Sequence, residues 1–103
     1  MLEIRPYLKV YINHRTKEVI ISRPITDKDN GLIYELTDIG YEIFLNLDKP
    51  ISLKELEIRI LTKFPYGEQE FEGIIQFLFS EKIITIKKEL DHINPQLVDQ
   101  YDR

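Results

Sequence analysis

Cysteine is missing from all 103 residues, which excludes disulfides, thiolate metal sites and a cysteine nucleophile. That absence fits a reducing compartment, and the expected localisation is cytoplasmic. Histidine occurs only at His14 and His92. Neither has a second ligand at a spacing such as i, i+4, so both read as solvated surface residues and no metal or other cofactor is expected. The four glycines, Gly31, Gly40, Gly67 and Gly73, include no two at phosphate-loop spacing. No apolar run approaches the roughly 18–20 residues of a membrane span, so no membrane partner is expected. The opening Met-Leu-Glu-Ile-Arg-Pro has neither a basic nor an apolar signal region. Cationic excess is missing too: 14 Lys+Arg stand against 18 Asp+Glu, for a net charge of −4. This balance argues against a nucleic-acid partner.

The remaining routes to chemistry fail one by one. A serine triad needs a histidine base, and nothing places Ser22, Ser52 or Ser80 beside one. Asp27-Lys-Asp-Asn-Gly31 begins like a calcium loop. However, glycine falls where the third ligand is required, and the twelfth position is Asp38 where a bidentate glutamate belongs. It reads as a turn. Carboxylates are numerous, but on helix faces they are usually solvated. No enzymatic activity is expected, so the function has to come from a surface.

What is present is a core. A hydrophobic share of 43% with 31% charged residues is that of an ordinary soluble globular chain. Residues 1–87 are expected to form one domain and residues 88–103 a polar tail, with a weak helical tendency after Pro95. Residues 7–12 and 17–22 read as a β-hairpin turning at Asn13-His-Arg-Thr16, ended or pushed to a sheet edge by Pro24. A polar loop from Thr26 closes on Asn30-Gly31, and residues 32–36 read as a third strand.

Helices follow. Thr37 is the expected N-cap of the first, with Ile39, Ile43, Phe44 and Leu47 on its apolar stripe. Asp48-Lys-Pro50 breaks it. Ser52-Leu-Lys-Glu55 is a capping box for a second helix whose expected buried face is Leu53, Leu56, Ile60, Leu61 and Phe64. Pro65-Tyr-Gly67 precedes a third helix over residues 68–82, and residues 83–86 read as a closing strand. Three strands, three helices and a short strand give an α+β class of winged helix-turn-helix type, with an N-terminal three-stranded antiparallel sheet packed on three helices.

The third helix is too apolar for one buried face. At about 100° per residue, Phe71, Ile74, Ile75 and Leu78 cluster, while Phe77 and Phe79 fall on opposite flanks. The arc is about 200°, wider than the ~100° needed to face one core. Either the tail or the sheet covers the excess, or one flank lines a groove that a partner fills. The same helix carries Glu68, Glu70, Glu72 and Glu81 against Lys82 alone, a poor pattern for meeting phosphates.

Tyr34-Glu-Leu-Thr-Asp-Ile-Gly-Tyr-Glu-Ile-Phe-Leu-Asn-Leu47 resembles the strand-to-helix signature of PqqD-like domains, the RiPP recognition elements. In these, tyrosine-x-leucine-asparagine or threonine precedes a small residue and an aliphatic stripe. Asp48-Lys-Pro-Ile-Ser-Leu-Lys-Glu-Leu56 is similar to their next turn and capped helix, and residues 71–84 to their third helix and closing aliphatic pair. The resemblance covers about residues 7–86. It departs at Lys82, where the family often has glycine, and over residues 87–103, which extend past the usual end.

The resemblance implies a three-stranded sheet on a winged-helix core. It also implies binding of the leader segment of a ribosomally made precursor peptide, for delivery to a peptide-modifying enzyme. The leader would add as a strand beside Leu32, Ile33, Tyr34, Glu35 and Leu36. Helical phase then assigns the groove wall to Ile74, Phe77 and Leu78, with Phe71 and Ile75 as further candidates. The alternative is a winged-helix DNA-binding transcription regulator, which the acidic third helix opposes. A subunit docked permanently on a larger enzyme uses the same surface, and a bare edge strand beside an apolar groove also admits a homodimer.

Overall fold

The computed structural model describes residues 1–23 and 31–87. The expected roles of Pro24, of the loop before Gly31, of His92 and of the C-terminal tail fall outside the described residues.

The chain forms a small α+β domain with a three-stranded antiparallel sheet and three helices. The strands β2 (Lys9–Asn13), β3 (Glu18–Ser22) and β4 (Leu32–Glu35) lie in the order β2-β3-β4. The helices are α1 (Asp38–Asn46), α2 (Leu53–Lys63) and α3 (Glu68–Ser80). Two further strands, β1 (Leu2–Ile4) and β5 (Ile84–Ile86), pair antiparallel as a separate two-stranded sheet, with Leu2 opposite Ile86 and Ile4 opposite Ile84.

Local chemistry explains most boundaries. In the β2–β3 turn the Asn13 side-chain oxygen accepts from the backbone N–H of Arg15 (3.0 Å) and Thr16 (3.2 Å), which bends the chain where the sequence predicts it. Thr37 caps α1, its hydroxyl accepting from Gly40 N–H at 3.1 Å. Ser52 caps α2 through Glu55 N–H at 3.0 Å. The Glu55 carboxylate accepts from Arg59 Nε at 3.1 Å, one turn along the helix, instead of reaching back toward the cap.

The end of α3 is a Schellman motif. Lys82 N–H donates to Phe79 C=O and Ile83 N–H to Leu78 C=O, with Lys82 in the left-handed region at φ 58°. Ile83 and Leu78, the apolar pair that accompanies the motif, are both buried. This geometry ends the helix at Ser80 instead of continuing it through Lys82. Glycine suits such a position because it has no Cβ to collide with the following carbonyl. Lys82→Gly is therefore expected to stabilise the domain by roughly 0.5–1 kcal/mol, read as a raised urea midpoint at unchanged slope.

One core unites the elements. Val19 and Ile21 from β3, Ile43 and Phe44 from α1, Leu56 and Ile60 from α2, Phe71 and Leu78 from α3, and Ile83 and Ile84 at the chain's return are all buried. The expected α2 face is corrected at Leu53, which is 46% exposed. It sits in the first turn, where the helix has not yet reached the core. Strand β1 is the element the sequence pattern did not announce. It is held at both ends of the domain: Leu2 and Ile51 exchange backbone bonds at 2.7 and 3.0 Å, and Arg5 N–H donates to Ile83 C=O at 2.9 Å.

Candidate functional site

Strand β4 lies at one edge of the three-stranded sheet, and its register defines which groups are free. Val19 faces Tyr34, Ile20 faces Ile33 and Ile21 faces Leu32. Leu36 N–H donates to Lys17 C=O at 2.9 Å, continuing that ladder one residue past the strand. In an antiparallel ladder, bonded and non-bonded pairs alternate. The backbone groups of Leu32, Tyr34 and Leu36 therefore turn toward β3, and those of Ile33 and Glu35 turn toward the open edge. The side chains alternate as well. Tyr34 and Leu36 lie on the core side with Val19 and Ile21, whereas Ile33 is 62% exposed on the outer face.

Beside this edge, between β4 and α3, is an apolar cleft of about 220 Å³. Tyr34 and Leu36 form one wall and Ile74 and Phe77 the other, over a floor that includes Leu78. The rings of Tyr34 and Phe77 meet edge to face, with centroids 5.7 Å apart and planes at 79°. Burial along α3 follows its angular position: Phe71, Ile75 and Leu78 are buried, Ile74 is half-buried, and Phe77 on the flank is 42% exposed. Phe79, on the other flank, is also exposed and does not line this cleft.

The start of α1 also lines the cleft. Thr37, while capping α1, donates from its hydroxyl to Glu70 Oε2 at 2.7 Å and so ties α1 to the first turn of α3. Gly40 borders the cleft one turn further on. Asp38 at the α1 N-terminus pairs with Lys17 at 2.7 Å. Their hydrogen bond and mutual attraction hold the Asp38 carboxyl below, and the Lys17 ammonium above, their ordinary pKa values. Both side chains are exposed, so solvent screens the pair and it adds little to stability.

Of the residues assigned from the sequence, Tyr34, Glu35, Leu36, Ile74, Phe77 and Leu78 come together around the cleft. Leu32 and Ile33 are exposed on β4 outside it. Two assignments are corrected. Phe71 is 1% exposed and Ile75 is 7% exposed; both belong to the core and neither lines the cleft. They occupy the centre of the apolar arc, which the core claims first, and only the Phe77 flank remains for the cleft. Sequence reasoning missed Thr37, Gly40, Ile21, Phe44 and Ile83 as lining residues. The small residue at Gly40 was the one available signal among them; the others required knowing which elements are neighbours.

His14 is exposed, as expected, but it is not only solvated: its Nδ1 lies 2.8 Å from the Tyr41 hydroxyl. Among the described residues no three potential metal ligands converge, and no helix is long and apolar enough to cross a membrane. No protein-family model, curated protein or solved structure matches the chain.

Proposed function

We infer that the chain is a peptide-binding adaptor. It takes the leader segment of a ribosomally made precursor as an added strand on β4 and presents it to a peptide-modifying enzyme. The observation that carries this reading is the juxtaposition of an open strand edge with an apolar cleft walled by α3. Edge strands template strand addition, with backbone bonds supplying affinity and alternate side chains supplying selectivity. The same reading takes α1–α3 together with the β1–β5 ribbon as a winged-helix-like core, in line with the resemblance of residues 34–47 to PqqD-like domains.

The energetics allow it. Ile33 and Glu35 together offer four outward backbone groups, each worth ~1 kcal/mol net when bonded. Two anchors in the cleft add ~1.5–3 kcal/mol each. These oppose an association cost of ~4–15 kcal/mol, so the affinity depends on how well the anchors fit. The exposed Glu68, Glu70 and Glu72 on α3 disfavour the alternative of DNA reading.

The test is calorimetric titration of the chain with peptides from precursors encoded beside it. Phe77→Glu puts a charge on the cleft wall and is expected to weaken leader binding by more than roughly tenfold, a loss above ~1.4 kcal/mol. Because Phe77 is partly exposed, the thermal midpoint should move little. Absence of leader binding by the unmodified chain sinks the reading, as does sequence-selective DNA retention in a low-salt gel shift.

A further inference from the structure

The sheet has a second open edge, and its surroundings are different. Strand β2 bonds β3 through Lys9, Tyr11 and Asn13, because Val19 and Ile21 of β3 already turn toward β4. The backbone groups of Val10 and Ile12 therefore face outward. Against this edge lies a cleft of about 440 Å³, whose apolar surface comes from Leu8, Val10 and Ile12 of the strand side and Phe44 and Leu47 of α1.

Arg5 enters the same cleft from the turn that joins β1 to β2. Its backbone is fixed at both ends, N–H to Ile83 C=O at 2.9 Å and C=O from Leu8 N–H at 3.0 Å. One donor of its guanidinium is unmatched. Nε is shut off from solvent without a hydrogen-bond partner, and no ion pair to Arg5 forms among the described residues. Glu3 and Asp48 also border the cleft, yet neither pairs with Arg5. Arginine stays charged under all ordinary conditions, and native proteins rarely leave a buried donor unmatched. The planar fork of a guanidinium matches a carboxylate.

We propose that this cleft is a second docking site, which takes an extended segment of a partner protein along β2 with an aspartate or glutamate seated on Arg5. Apolar residues two positions before and after the acid, on its own face of the added strand, would occupy the wall formed by Val10, Ile12 and Phe44. The two edges then select by chemistry. The β4 cleft is bordered by the Glu35 carboxylate, whereas the β2 cleft, with Glu3, Asp48 and Lys49 also on its rim, holds the unmatched Nε–H of Arg5. A chain with both edges occupied joins two polypeptides through one three-stranded sheet.

The test uses the whole chain, isotopically labelled, titrated with acetyl-Val-Thr-Glu-Thr-Val-amide and with its glutamine counterpart while amide and Arg5 Nε–H resonances are followed. The glutamate peptide should shift Val10, Ile12 and Arg5 Nε–H, and the glutamine peptide should bind at least roughly tenfold more weakly. Arg5→Gln should erase the difference between the two peptides. Arg5→Lys, which keeps the charge and loses the fork, should keep part of it and covers the case in which Arg5→Gln does not fold. Equal binding of the two peptides, shifts confined to Ile33 and Glu35, or no shift at Val10 and Ile12 overturns the proposal.

Discussion

Phe71→Ala is expected to cost about 3–5 kcal/mol of stability, the range for deleting a fully buried aromatic side chain. Phe71 is 1% exposed and sits at the centre of the apolar arc of α3, inside the cluster that joins all three helices to β3. The loss combines forfeited burial with a cavity that rigid neighbours fill only in part. A small domain has ~5–15 kcal/mol in total, so the variant should melt on the order of 15–30 °C lower and be partly unfolded at room temperature. Thermal unfolding by circular dichroism reads this directly. The result also separates the two roles on one helix: Phe71→Ala should damage folding, and Phe77→Glu should damage binding. A Phe71→Ala protein that melts normally would return this residue to the cleft and undo its assignment to the core.

Gly31→Ala is the second large effect, and its cause is local. Gly31 has φ +71°, in the left-handed region that costs an L-residue roughly 1–2 kcal/mol. A Cβ there would stand 2.6 Å from Ile21 C=O and 2.8 Å from Ser22 Cβ. The first of these contacts is backbone, so the start of β4 has to lift away from β3. The expected cost exceeds ~2 kcal/mol, with faster hydrogen exchange at Leu32 and Tyr34, whose N–H groups bond β3. Gly31→Asn distinguishes the causes. Asparagine tolerates positive φ but carries the same Cβ, so it should cost nearly as much as alanine. An asparagine variant of unchanged stability would show that the close approach does not matter. Because β4 is the proposed docking edge, leader binding should weaken along with stability in Gly31→Ala.

The sequence by itself determined the elements whose signals are local. Thr37 and Ser52 mark helix starts because each hydroxyl bonds an N–H only three residues on. Asn13 marks the hairpin turn because its oxygen reaches N–H groups two and three residues ahead. The alternation of β3 and the wide arc of α3 likewise depend only on the period of the backbone. These signals delimited β4 and α3; that the two would wall one cleft was what the resemblance to PqqD-like domains implied.

Tertiary structure decided what depends on neighbours distant in the chain. Strand β1 is three residues long and exists because β5 and Ile51 supply partners more than forty residues away. No pattern in Leu2-Glu-Ile4 encodes them. The division of α3 between core and cleft was also undetermined. Phase put Phe77 and Phe79 on opposite flanks of the arc, but it did not decide which flank opens on a cleft until β4, α1 and Ile83 took their places around the helix. Packing then closed over Phe71 and Ile75, left Phe77 at the mouth against Tyr34, and left Phe79 outside. The unmatched Arg5 is of the same kind. Its cleft is made by a β-strand edge and the end of a helix more than thirty residues further on, a meeting that short-range hydrogen bonds and periodicity do not specify.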